Sequence, residues 1–121
     1  MKTLIFAALA AASLQGGSTL GPPTDAQFVA ARRALNERLL DYPSARFRDV
    51  RGNSAAICGF FNAKNRMGAY SGWSRFAFVN LSEPRLYVDG EGSDHILLDG
   101  LCGEDGLQQT GRDYSGRLAG Q

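Results

Sequence analysis

Ala55-Ala56-Ile57-Cys58-Gly59-Phe60-Phe61-Asn62-Ala63 is the stretch on which the fold turns. It carries no charge, is almost continuously apolar and has the length of one strand, so it predicts a central β-strand with Cys58 inside the sheet. Before it, residues 45–51 alternate small or apolar side chains with arginine, and after it residues 73–79 place Phe76 and Phe78 on one face. Both patterns have the period of a strand. Arg51-Gly52-Asn53 and Asn65-Arg66-Met67-Gly68 supply the glycine and asparagine that chain reversals need. Two further strands are predicted over residues 85–89, where Leu86 and Val88 alternate with Tyr87, and over residues 95–99, around Ile96-Leu97-Leu98. Gly90-Glu91-Gly92-Ser93 joins them with the composition of a hairpin loop.

Upstream of the strands, Thr24-Asp25-Ala26-Gln27 matches a capping box, in which the Thr24 hydroxyl and the Gln27 side chain satisfy two backbone donors at a helix start. Phe28, Ala31, Leu35 and Leu39 follow at helical spacing, with Arg32, Arg33, Asn36 and Glu37 on the wet side. An amphipathic helix is therefore expected over residues 25–40, ended by Pro43. One helix followed by strands with short links predicts an α+β domain: an N-terminal amphipathic helix packed on a curved antiparallel β-meander of about four to five strands. Parallel connections would need crossovers of about a dozen residues, which the links lack.

The first twelve residues, MKTLIFAALAAA, have the build of a secretory signal peptide: a lysine, a short apolar run, and small residues suited to cleavage. That run is far below the ~20 residues that span a bilayer, and no second one follows, so an exported product, periplasmic or extracellular and without a membrane span, is expected. The expected organisation is a signal peptide and cleavage region over residues 1–17, a flexible lead-in over 18–23, one domain over 24–102 and a polar, mobile tail over 103–121. The two cysteines, Cys58 and Cys102, both fall in the mature part, and an oxidising compartment makes a single disulfide their simplest assignment. Two free thiols or a metal site are the alternatives. With His95 as the one histidine and no Cys-x-x-Cys, the chain has little to offer zinc, and no metal or cofactor is expected.

Formal net charge is +1, but its distribution is uneven: residues 25–75 hold nine Lys/Arg and four acids, residues 76–121 three arginines and eight acids. This asymmetry suits either a basic surface for an acidic partner or two halves that attract each other in the folded state, and the scattering of the basic residues over a helix and two or three strands favours the second. Catalysis would have to use His95, with Asp94 or Asp99 as orienter and Ser93 or Cys58 as nucleophile. Nothing around Ser93 has the form of a nucleophile elbow. The carboxylates between Asp89 and Asp94 lack the ligand spacing of an EF-hand loop. Arg46, Arg48, Arg51, Lys64 and Arg66 interleave with Phe47, Tyr70 and Trp73, the ingredients of a single-strand nucleic-acid platform, but near-neutral charge and the export signal argue against that partner. The same composition suits an exposed aromatic patch, formed by Phe61, Tyr70 and Trp73, for a protein or glycan.

Three segments, Ser44-Ala45-Arg46-Phe47-Arg48-Asp49-Val50, then Ile57 through Asn65, then Gly68 through Phe76, together resemble a group of small exported proteobacterial and phage proteins. Members of that group look like SA-x-FR-x-V followed by CG-x-x-N-x-KN-x-x-G-x-Y-x-G-x-x-x-F. The resemblance implies a helix before the motif and a second cysteine after it, and implies no chemistry. This chain departs in having Gly68-Ala69-Tyr70 where two glycines are commoner, and in the long polar segment after Cys102. The residues predict a non-catalytic binding module of the cell envelope, its partner an envelope or extracellular protein or glycan, and its surface drawn from Arg46, Arg48, Lys64, Asn65, Tyr70 and Trp73. A small secreted hydrolase or nuclease using His95 is the enzyme alternative. A structural subunit assembling through unpaired strand edges is a third.

Overall fold

Four strands, β1 (Arg46–Gly52), β2 (Ala56–Asn62), β3 (Ser74–Val79) and β4 (Arg85–Val88), form one antiparallel sheet whose spatial order is their sequence order. A computed structural model describes residues 20–103 and 111–119. The expected signal peptide and cleavage region, residues 18 and 19 of the lead-in, and residues 104–110 and 120–121 lie outside the described residues. No described helix is long and apolar enough to cross a membrane.

Helix α1 (Asp25–Arg38) begins with the expected capping box: the Gln27 N–H donates to Thr24 Oγ1 and the Thr24 N–H to Gln27 Oε1, both at 3.1 Å. Gln27 is fully buried, and its remaining polar end donates to the Asn53 carbonyl at 2.8 Å, tying the helix to the β1–β2 turn. Phe28, Ala31 and Leu35 are buried in one cluster with Val50, Ile57, Phe61, Phe76, Phe78, Leu86 and Val88, which defines the inner face of the sheet. The helix ends two residues earlier than expected, at Arg38, and Leu39 turns to extended backbone as its C-cap.

Strand β1 departs from simple alternation. Arg46, Phe47 and Arg48 pair with Asn62, Phe61 and Phe60, but Arg51 pairs with Cys58, so two residues, Asp49 and Val50, face Gly59 alone. Asp49 is the extra residue and lies in the left-handed region at φ 52°. This bulge resets the phase of the strand: Val50 turns into the core, while Arg46, Arg48 and Arg51 stand opposite Asn62, Phe60 and Cys58 on the outer face. Gly59 makes the turn-in possible, since a Cβ there would meet Val50 Cγ2 at 2.8 Å and the Phe76 ring at 3.0 Å.

The outer face carries a second, smaller cluster of Cys58, Ala77, Leu98 and Cys102. Its cover is helix α2 (Asp94–Cys102), where a fifth strand over residues 95–99 was expected. Leu98 and Cys102 are one helical turn apart and both buried, and the Cys58–Cys102 disulfide, with Cα atoms 5.9 Å apart, fastens the helix to the central strand. Asp94 accepts from the Val88 N–H at 3.0 Å, and Asp99 pairs with Arg75 at 2.7 Å.

The domain does not stop at residue 102. Tyr114 and Leu118, expected in a mobile tail, join the inner core; Leu118 is fully buried and its carbonyl accepts from the Tyr42 hydroxyl. Asp113 Oδ1 accepts from the Val50 N–H at 3.1 Å and the Tyr114 N–H donates to the Val50 carbonyl at 2.7 Å, so this segment docks on the bulge of β1. Arg117 closes the clasp, reaching Asp25 at 2.6 Å across the Phe28 ring. At the opposite edge, β4 offers the Leu86 carbonyl to Arg38 and the Val88 N–H to Asp94. Both sheet edges are thus engaged within the chain, which leaves edge-to-edge assembly without a long unpaired strand.

Candidate functional site

Helix α2 covers the end of the outer face around Cys58, Ala77 and Tyr87, and through Asp99 reaches Arg75, which lies opposite Phe60 in the ladder. The other end carries a layered arrangement of cations on aromatic rings. Arg48 lies opposite Phe60 in the β1–β2 ladder, and its guanidinium sits 4.7 Å from the Phe60 ring centre and 4.9 Å from that of Trp73. One pleat away, Arg46 sits 4.1 Å over the Tyr70 ring, and Lys64 Nζ approaches the same ring at 5.8 Å. Contacts of this kind at exposed sites contribute about 0.5–1 kcal/mol each and favour keeping the cations over their rings.

The supports of this arrangement are local. Beyond β2 the hairpin continues through an isolated Lys64–Tyr70 bridge, which puts those two side chains together. Ser44 pins the end of the hairpin: its Oγ accepts from the Lys64 N–H and its carbonyl from the Tyr70 hydroxyl, both at 3.0 Å. Asn62 Oδ1 accepts from the Gly72 N–H at 3.0 Å, bringing the chain back toward Trp73, which remains 44% exposed. Asp49, the bulge residue, stands between Arg48 at 3.5 Å and Arg51 at 3.4 Å.

Of the residues singled out from sequence, Arg46, Arg48, Lys64, Tyr70 and Trp73 come together here. Asn65 has a different role: its side-chain oxygen accepts from the Met67 and Ala69 N–H groups, so it builds the reversal over residues 65–69. Phe61 is not part of an exposed patch; it is buried on the inner face, and its neighbour Phe60 holds the outward place. Strand period decides this, because adjacent residues point to opposite faces. Phe60 was therefore missed, although pairing with an outward Arg48 would have found it.

His95 lies exposed in the first turn of α2. Both acids that were to orient it are engaged elsewhere, Asp94 with the Val88 N–H and Asp99 with Arg75. The remaining carboxylates of the 89–94 loop also serve the fold: Asp89 faces Arg75 at 3.8 Å and Glu91 faces Arg38 at 2.5 Å. These pairs join the basic N-terminal half to the acidic C-terminal half, as the charge distribution suggested. Among the described residues no group of three His, Cys, Asp or Glu is placed to hold a metal ion. Two displaced pKa values belong to the scaffold. Burial raises that of Tyr42 against an opposing influence from Arg32. For Asp113 burial favours the neutral acid, yet hydrogen bonds from the Ser115 hydroxyl and N–H and from the Val50 and Asp49 amides together hold it below the ordinary carboxylate range.

Compared with protein-family models, with curated proteins and with solved structures, the chain matches none of them.

Proposed function

We propose that this protein is an exported, non-catalytic binding module of the cell envelope, and that the uncovered end of its outer sheet face is the surface that meets the partner. The observation that carries this reading is the convergence of Arg46, Arg48 and Lys64 on Phe60, Tyr70 and Trp73 beside, and not beneath, helix α2. Aromatic and arginine side chains held in place before contact are the side chains that dominate binding energy at interfaces, because little rotamer freedom is left to lose. The buried Cys58–Cys102 disulfide and the leader-like residues 1–12 fit an oxidising compartment outside the cytoplasm. A protein or a glycan of the envelope is the partner class this supports.

Site-specific photo-cross-linking in the native host tests the reading. A photoreactive residue at position 73 is expected to give discrete adducts, whereas one at the exposed Asn36 of α1 gives none. Equal adducts at both positions, or none at 73, would overturn it.

A further inference from the structure

The open face has a charge and a spacing that narrow its partner. Residues 44–75 contain six Lys/Arg and a single acid, Asp49. Arg75, opposite Phe60 in the ladder, is taken up by Asp89 and Asp99, and Asp49 is shared between Arg48 and Arg51. Glu91 pairs with Arg38 and Asp94 with a backbone N–H, so Arg46, Arg48, Arg51, Lys64 and Arg66 still exceed the one acid of their own stretch. An anionic ligand is therefore complementary to it. A guanidinium stacked on a ring keeps its in-plane N–H edge available, and that edge fits a carboxylate in two-point fashion. The same contacts cover part of each ring. Phe60 lies under Arg48 and Tyr70 under Arg46, both part-buried, and Trp73, also approached by Arg48, is the most exposed of the three. Bases and sugars bind by stacking on bare rings, and a guanidinium already lies against each of these three, so the geometry favours carboxylates over either. Finally, Arg46 and Arg48 leave β1 two residues apart on one side, a repeat of about 6.6 Å, the distance between alternate residues of an extended chain.

Resting on the binding-face reading above, we infer that this surface takes an extended acidic segment of a partner protein with carboxylates at alternate positions, two of them seated on Arg46 and Arg48. Lys64, on the same ring as Arg46, adds a third cation at one end of the track.

The chain has one tryptophan, so the fluorescence of Trp73 reports directly on occupation of this face. The full, disulfide-bonded chain is titrated at low ionic strength with two peptides of equal charge, one repeating Glu-Ser and one repeating Glu-Ser-Ser. The Glu-Ser peptide is expected to bind about fivefold more tightly, and the double variant Arg46→Gln/Arg48→Gln to lose about tenfold, with added salt weakening the wild type more than the variant. Unchanged thermal unfolding of that variant shows that its fold is intact. Equal affinity for both peptides, indifference to the double substitution, or no Trp73 response to either peptide overturns the inference. If an oligouronate or a single-stranded oligonucleotide binds instead, and loses affinity in the double variant, the acidic-segment inference falls while the binding-face reading survives. That reading fails separately, through absence of cross-links at position 73.

Discussion

Removing the disulfide should loosen α2 selectively as well as lower global stability. Cys58 and Cys102 are 44 residues apart in sequence, and closing such a loop restricts the denatured chain by about 13 cal/mol/K, or about 4 kcal/mol near room temperature. Unfolded-state structure and relaxation reduce the figure, so about 2–4 kcal/mol is the expected loss for Cys58→Ala/Cys102→Ala. For a domain of this size that is a substantial part of the total. Its distribution follows from the packing. The main core holds α1, the inner sheet face and residues 114 and 118, and does not involve the cysteines. Helix α2 rests on Leu98, Cys102 and the Arg75–Asp99 pair, and loses its covalent tie in the variant. Urea unfolding measures the total, and native-state hydrogen exchange locates it. Amides of α2 are expected to exchange well before those of β2 and β3. A loss under about 1 kcal/mol, or α2 amides as protected as those of β2, would refute the argument.

Other substitutions test separate joints of the structure. Tyr42→Phe removes the hydroxyl that donates to the Leu118 carbonyl and should cost about 1 kcal/mol in denaturant unfolding, with residues 113–118 losing hydrogen-exchange protection first. Gly59→Ala places a methyl group against Val50 and Phe76 at 2.8 and 3.0 Å, where a branched side chain and a buried ring can yield little; a loss of about 1–3 kcal/mol in the same assay is expected. Asp113 contributes through its charged form. Its folded pKa lies below the unfolded value of 3.8, so that contribution is present above this value and disappears as pH falls through the folded pKa. The stability gap between wild type and Asp113→Asn should accordingly be open at neutral pH and narrow progressively as pH falls below the unfolded value, as urea midpoints followed from neutral pH into acid will show.

Much of this architecture is legible in the sequence because it rests on short-range pattern. The capping box and the Phe28, Ala31, Leu35 spacing reveal α1, period two reveals β1, β3 and β4, a nearly continuous apolar run reveals β2, and the cysteine pair reveals the staple. What escapes is set by contacts distant in sequence. Ile96-Leu97-Leu98 is an apolar run too short for periodicity to separate strand from helix. The deciding facts are that Leu98 and Cys102 must face the sheet together and that Cys102 must reach Cys58. Likewise Tyr114 and Leu118 sit among Gly, Ser and Arg, with no local signal for the core they enter. The site was half visible for a similar reason. Arginines and aromatics could be counted, but the bulge at Asp49, which puts three arginines on one face and Val50 on the other, depends on Gly59 across the ladder and on Asp113 far along the chain.

The account depends most on Cys58 and Cys102 being joined in the cell, since that bond holds α2 beside the open face and marks the compartment in which the face would work. Intact mass of the protein recovered from its native host, with thiol alkylation before and after reduction, tests this directly. The account predicts a chain shortened at its N-terminus, two hydrogens lighter than the dithiol and alkylated only after reduction. A chain that begins at Met1 and is alkylated at both cysteines without reduction would contradict it.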